Sequence, residues 1–156
     1  MVKYIFLDID GVLNHQRWYE YYWENKLQHT DTDYDIDFRA VERINCLVEE
    51  TGAEIVISSS WRLDMDNTVS RLKHAGLKCT PTKRIEGCEF GDNSPIRGEL
   101  IADFLHDNPC DNYVIIDDDG DMTDEQKNGH FVQTSEWTGF DEDKFIEALK
   151  VLTQKC

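Results

Sequence analysis

Two carboxylates stand two residues apart near the start of the chain, Asp8 and Asp10 in "YIFLDIDGVLN" (4–14), and Gly11 follows at once. A second acidic group, "DDDGD" (117–121), comes more than a hundred residues later, and "SSS" (58–60) lies between them. Carboxylates brought together repel, and some must stay protonated unless a counter-charge arrives. A divalent cation is the simplest one. Oxygen donors without His or Cys suit a hard ion, and Mg²⁺ typically takes one or two protein carboxylates and keeps several waters. Taken singly, each group has a plainer use, as a turn residue, a helix cap or a solvated loop. Their common placement is what points to chemistry, because each interrupts the end of an apolar run.

Those apolar runs are the elements that must position the polar groups. "KYIFLDI" (3–9), "AEIVIS" (53–58) and "NYVIID" (112–117) read as buried strands, with "HFVQT" (130–134) as a fourth and "KCT" (78–80) as a short further one. Between them, 37–52, 67–77, 96–108 and 141–155 carry apolar residues at helical spacing, with Gly52 and Gly76 placed as helix stops. Residues 81–95 hold Pro81, Gly87, Gly91 and Pro95 and read as loop. Strands alternating with helices predict an α/β fold with a mostly parallel central sheet between helix layers, Rossmann-like in outline. In such a sheet the ligand lies beyond the carboxyl ends of the strands. Asp8 and Asp10, Ser58 and Ser59, and Asp117 and Asp118 all fall there.

The bulk composition bounds the rest. A chain of 156 residues predicts one domain, with an aromatic-rich insert at 14–36 too small to be a second and placed to act as a flap. The net charge of −16 (16 basic and 32 acidic residues) disfavours an extended nucleic-acid surface. It leaves room for a local basic pocket around one phosphate. Five scattered cysteines without a CxxC pair read as reduced thiols, the first apolar run, broken by Asp8, reads as too short for a signal-type leader, and no segment approaches an 18-residue apolar run. The expectation is a cytoplasmic protein that does not enter a membrane.

At this point the motifs carry a family resemblance. "FLDIDGVLN" resembles motif I of the haloacid dehalogenase-like (HAD) phosphohydrolases, a hydrophobic strand ending in DxDG. "EIVISSSWR" is similar to motif II, "PIRGELI" to the motif III helix with its Lys or Arg, and "YVIIDDDGD" to the acidic motif IV, in the family's order over residues 3–121. Within the superfamily, "SSSWR" and the small insert look like a nearly capless group that includes phage and bacterial proteins and the HAD domains of RNA-repair proteins.

The resemblance implies a Mg²⁺-dependent phosphomonoester hydrolase. Asp8 would be the nucleophile that forms an aspartyl-phosphate. Asp10 would be general acid and then general base, with its main-chain carbonyl on the metal. Ser59, with Ser58 close behind, would donate to the phosphate, and Arg97 would neutralise it in the forked geometry of a guanidinium rather than as a lysine's point charge. Asp118 would bind the metal, with Asp117 assisting directly or through water. Arg62, just past the serines, reads equally as a second phosphate-binding cation or a surface charge.

Asp10 argues against a dehalogenase, which has no alkoxide to protonate, and the small insert argues against a mutase, which must keep water out. The substrate would be a phosphorylated small molecule, a nucleotide or a nucleic-acid end. The aromatic cluster Trp18, Tyr19, Tyr21, Tyr22 and Trp23 reads first as packing of the insert on the core and second as a stacking surface, and His15 lies near enough in sequence to reach the pocket. The alternative from another class is a non-catalytic HAD-like binding or regulatory module. Such a module would be expected to have lost Asp8 or Asp10, and this chain keeps both.

Overall fold

The computed structural model describes residues 1–25 and 35–154. Five strands form one sheet: β1 (Lys3–Leu7), β2 (Glu54–Ile57), β3 (Lys83–Arg84), β4 (Asn112–Asp117) and β5 (Phe131–Gln133). All pairings are parallel and the spatial order is β3-β2-β1-β4-β5. The chain builds outward from β1 on one side, then returns to build the other. The order therefore reverses between β1 and β4, the place where α/β sheets open a crevice.

Alternation along the strands divides the core into two layers. Ile5 and Leu7, Ile55 and Ile57, and Val114 and Ile116 face one side. There they meet α2 (Phe38–Thr51), α3 (Met65–His74) and α6 (Glu142–Thr153) through Ile44, Leu47, Leu72, Ala148 and Leu152. Tyr4 and Phe6, Val56 and Ile115 face the other side and meet α4 (Arg97–Asp107) through Leu100, Ile101 and Phe104. α2 ends at the expected Gly52, whereas α3, expected over 67–77, spans Met65–His74 with Ala75 rather than Gly76 as its cap. Asp37 caps α2 by accepting from Arg39 N, and Gly52 closes it in the left-handed conformation at φ 68°.

Several expectations need correction. The segment 78–80 is not a strand, and the fifth strand is β3, inside the stretch read as loop. Two polar residues carry no alternation for a sequence reading to find. It is the neighbouring edge of β2 that recruits them, pairing Val56 with Lys83 and Ile57 with Arg84. The insert is not wholly irregular. It contains α1 (Gln16–Glu24), whose Trp18 and Tyr22 are buried, which is the packing role expected of them. Residues 26–34 of the expected flap lie outside the described residues. A short helix, α5 (Asp124–Lys127), and a 3₁₀ turn (Ser60–Asp64) were also not anticipated.

Candidate active site

The pairing register determines which polar groups meet. Leu7 aligns with Ile57 on β2 and with Ile116 on β4. One residue further, Asp8 N donates to Ile116 O at 3.1 Å and Ser58 N to Leu7 O at 3.1 Å. Asp8, Ser58 and Asp117 therefore form a row across three adjacent strand ends. By the alternation of the strands, that row faces the side on which α4 lies.

Arg97 is the first residue of α4 and reaches into this row. Its Nη1 lies 3.1 Å from Asp8 Oδ1 and 2.9 Å from Asp117 Oδ2. The start of α4 is clamped against the loop after β4. Gly98 N donates to Asp121 O at 3.0 Å, and Gln126 Nε2 donates to Gly98 O at 2.7 Å. A Cβ on Gly98 would lie 2.7 Å from Thr123 N and 2.8 Å from Met122 Cα, so glycine is what permits this approach. The Arg-Gly pair thus has a division of labour: Gly98 lets the helix come close and Arg97 uses the proximity.

Glu89 is the residue the sequence reading missed. It bridges two arginines, with Arg97 Nε at 3.0 Å and Arg62 Nη2 at 3.0 Å. Nothing in the surrounding "GCEFGD" signals this, because the bridge exists only once the loop folds back on the sheet. Both arginines hold Glu89 below the usual carboxylate range, against the opposing effect of its burial. Arg62 is not the surface charge that was one expectation for it, being only 1 % exposed. Its guanidinium also donates to Ser58 O at 3.1 Å and Gly87 O at 2.8 Å. Arg62 braces the serine turn and, through Glu89, braces Arg97.

The two serines differ in their surroundings. Ser59 Oγ caps the 3₁₀ turn by accepting from Trp61 N at 3.2 Å. Ser58 Oγ is buried and has no hydrogen-bond partner among the described residues. A buried hydroxyl without a partner is uncommon. Of the two serines, Ser58 therefore has the hydroxyl free to donate to a ligand oxygen, while that of Ser59 is engaged in a cap.

Three carboxylates converge beside Arg97. Oxygen atoms of Asp8, Asp117 and Asp118 lie within 4.8 Å of one another. Burial, and then the Asp117 charge, push Asp8 from its ordinary 3.8 up to about 8. Burial pushes Asp117 up to about 6 and also raises Asp118. Despite its own burial, Arg97 is held more firmly protonated than usual by Asp117 and Asp8. One guanidinium does not balance three carboxylates, and the donors are all hard oxygens, so the residues fit a Mg²⁺-like cation. Asp117 is already engaged on both oxygens, by Asp119 N at 2.9 Å and by Arg97. Asp118 is only half-buried and more open to a ligand.

Gly11 is required by the same convergence. Its φ is +77°, and a Cβ there would lie 2.3 Å from Asp118 Oδ2 and 2.8 Å from Asp118 Cβ. The turn after β1 and the turn after β4 fit together only around a residue without a side chain.

Asp10 stands apart from the trio and is exposed. Its Oδ1 accepts from Asn14 Nδ2 at 2.8 Å and its Oδ2 from Trp61 Nε1 at 3.1 Å. Neutral donors thus fix the plane of its carboxylate. His15 makes no contact with the trio but does line a cavity beside Asp10, as its position in the sequence suggested. It caps α1 and its Nε2 lies 2.8 Å from Asp37 Oδ2.

The family described as the HAD domain in Swiss Army Knife RNA repair proteins matches residues 4–145. No curated protein and no solved structure matches the chain. With most of its length matched, the chain belongs to that HAD domain family. Among the described residues, no helix is long and apolar enough to cross a membrane.

Proposed function

We propose that the protein is a Mg²⁺-dependent phosphomonoester hydrolase that works through an aspartyl-phosphate on Asp8. The observation that carries this reading is the convergence of Asp8, Asp117 and Asp118 beside Arg97, with the orphaned Ser58 hydroxyl in the same row. An attacking carboxylate needs the phosphate's charge offset as it approaches. Asp118, assisted by Asp117 and Asp8, would hold the Mg²⁺, which when bound supplies that charge and orients a phosphoryl oxygen. Arg97 and the Ser58 hydroxyl would donate to phosphoryl oxygens, with Ser59 as the neighbouring alternative.

In the first step an Asp8 oxygen attacks phosphorus, the bond to the leaving oxygen breaks, and Asp10 gives that oxygen its proton. In the second, Asp10 takes a proton from water. The hydroxide attacks phosphorus, releasing inorganic phosphate and restoring the Asp8 carboxylate. The two roles require two carboxylates, and the surroundings suit each one. Asp8 lies under Arg97, whereas Asp10 is exposed and aligned by Asn14 and Trp61. The family's association with RNA repair supports a nucleic-acid end or a nucleotide as one source of the phosphate.

Hydrolysis of 4-nitrophenyl phosphate tests this. The wild type should turn over with Mg²⁺ and stop when the metal is chelated. Asp8→Asn should lower the rate by roughly a thousandfold or more, as loss of a nucleophile does. Equal inertness of both proteins across divalent metals and several phosphomonoesters would refute the reading and favour a binding module.

A further inference from the structure

A cavity of about 370 Å³ opens beside Asp10. Its lining includes Asp10, Gly11, His15 and Asp118 together with a wall of Glu136 and Trp137. Asp8, Ser58 and Arg97, where the phosphate would sit, are not among its lining residues. The acid that protonates the leaving oxygen must lie between the phosphate and the leaving group. On the proposed chemistry, the cavity is therefore where the leaving group goes.

The wall of Glu136 and Trp137 is built rather than incidental. The first N–H groups of α1 donate to it, Gln16 N to Glu136 O at 2.8 Å and Arg17 N to Trp137 O at 3.0 Å. The loop closes on itself, with Gly139 N donating to Ser135 O at 2.7 Å and Trp137 N to Ser135 Oγ at 3.1 Å. Gly139 also packs against His15, since a Cβ there would lie 2.5 Å from the His15 ring. Trp137 leaves 59 % of its surface exposed, so part of its ring is open to a ligand in the cavity.

The chemistry of the wall selects what can cover it. Trp137 offers a flat face, and such a face stacks on a flat partner. Among the described residues, no Lys or Arg lines the cavity. A cation held at Asp118 would offset that charge and Asp10 would carry the proton, so among the described lining residues Glu136 would be the carboxylate left to face the ligand. We propose that this cavity is a leaving-group subsite that takes a flat, uncharged ring, such as a nucleoside, and disfavours a leaving group carrying further negative charge. The proposal rests on the phosphatase reading for its orientation, but its binding preferences can be measured without turnover.

The experiment uses the Asp8→Asn protein with Mg²⁺ and measures binding of 4-nitrophenyl phosphate, 4-carboxyphenyl phosphate, glycerol phosphate and inorganic phosphate. The nitrophenyl ester should bind about fivefold or more tightly than glycerol phosphate, the order of one stacking contact. Adding Trp137→Ala should remove that advantage, Trp137→Phe should retain it, and neither should alter binding of inorganic phosphate. The carboxyphenyl ester should bind roughly two- to fivefold more weakly than the nitrophenyl ester, as for one partly exposed like-charge contact, and Glu136→Gln should restore it. Equal binding of all three esters, or indifference to Trp137 and Glu136, would overturn the subsite. Wild-type protein that hydrolyses no ester while these preferences persist would instead overturn the phosphatase reading and leave the subsite standing.

Discussion

The turn after β1 and the turn after β4 are built from the same residue type and do different things. Each places one buried carboxylate, Asp8 or Asp117, beside Arg97. Each then offers a second. After β4 the second follows immediately, and Asp118 stays within the trio. After β1 one residue intervenes, and Ile9 is fully buried in the core. That anchor carries Asp10 out of the trio, into the reach of Asn14 and Trp61. Adjacent carboxylates share one cation, whereas carboxylates separated by a core anchor divide into two environments. The spacing of DxD against DD thus decides which acids act together.

The largest way to break this comparison is to press the two turns apart. Gly11→Ala places a methyl group on the Asp118 carboxylate at a positive φ. It should cost about 2–4 kcal/mol of stability in denaturant unfolding, from backbone strain and overpacking together. Loss of under about 1 kcal/mol, the scale of an ordinary surface change, would mean that the turns do not depend on one another.

A smaller effect separates the two second carboxylates by their response to metal and pH. Asp8 and Asp117 titrate near 8 and 6 in the metal-free fold, against an ordinary 3.8. The native chain therefore holds protons that the unfolded chain releases. That contribution is complete below about pH 4 and is lost as pH rises through 6 and then 8. Mg²⁺ should accordingly stabilise the protein little at pH 5 and by about 1–3 kcal/mol at pH 8. Asp118→Asn should weaken the response to Mg²⁺ in thermal unfolding, and Asp10→Asn should leave most of it. Equal responses of the two variants would erase the distinction between the turns.

Much of this was legible in the sequence, because apolar runs are hard to misread when charges end them. β1, β2 and β4 follow directly from such runs, and the register then brings Asp8, Ser58 and Asp117 into line. Contacts made by loops were not legible. Trp61 reaches Asp10 across 51 residues of sequence, and Glu89 joins Arg97 and Arg62 across 8 and 27. β3 is two polar residues long, too short for any period to show. The choice between Ser58 and Ser59 was open in the sequence for a related reason. Neighbouring residues at a strand end face opposite ways, and only the pairing register assigns the Asp8 side to Ser58.

The central claim is that Asp8 carries the phosphoryl group and Asp10 moves the protons. Nitrophenolate leaves without needing a proton, so Asp10→Asn protein should still be phosphorylated by 4-nitrophenyl phosphate but should release the phosphate slowly. Rapid mixing with Mg²⁺, acid quenching and peptide mass mapping measure this directly. The account predicts a burst of one nitrophenolate per active site and a phosphoryl group on the peptide containing Asp8. A burst with the label on another residue, or steady turnover with no trapped protein phosphate, would contradict it.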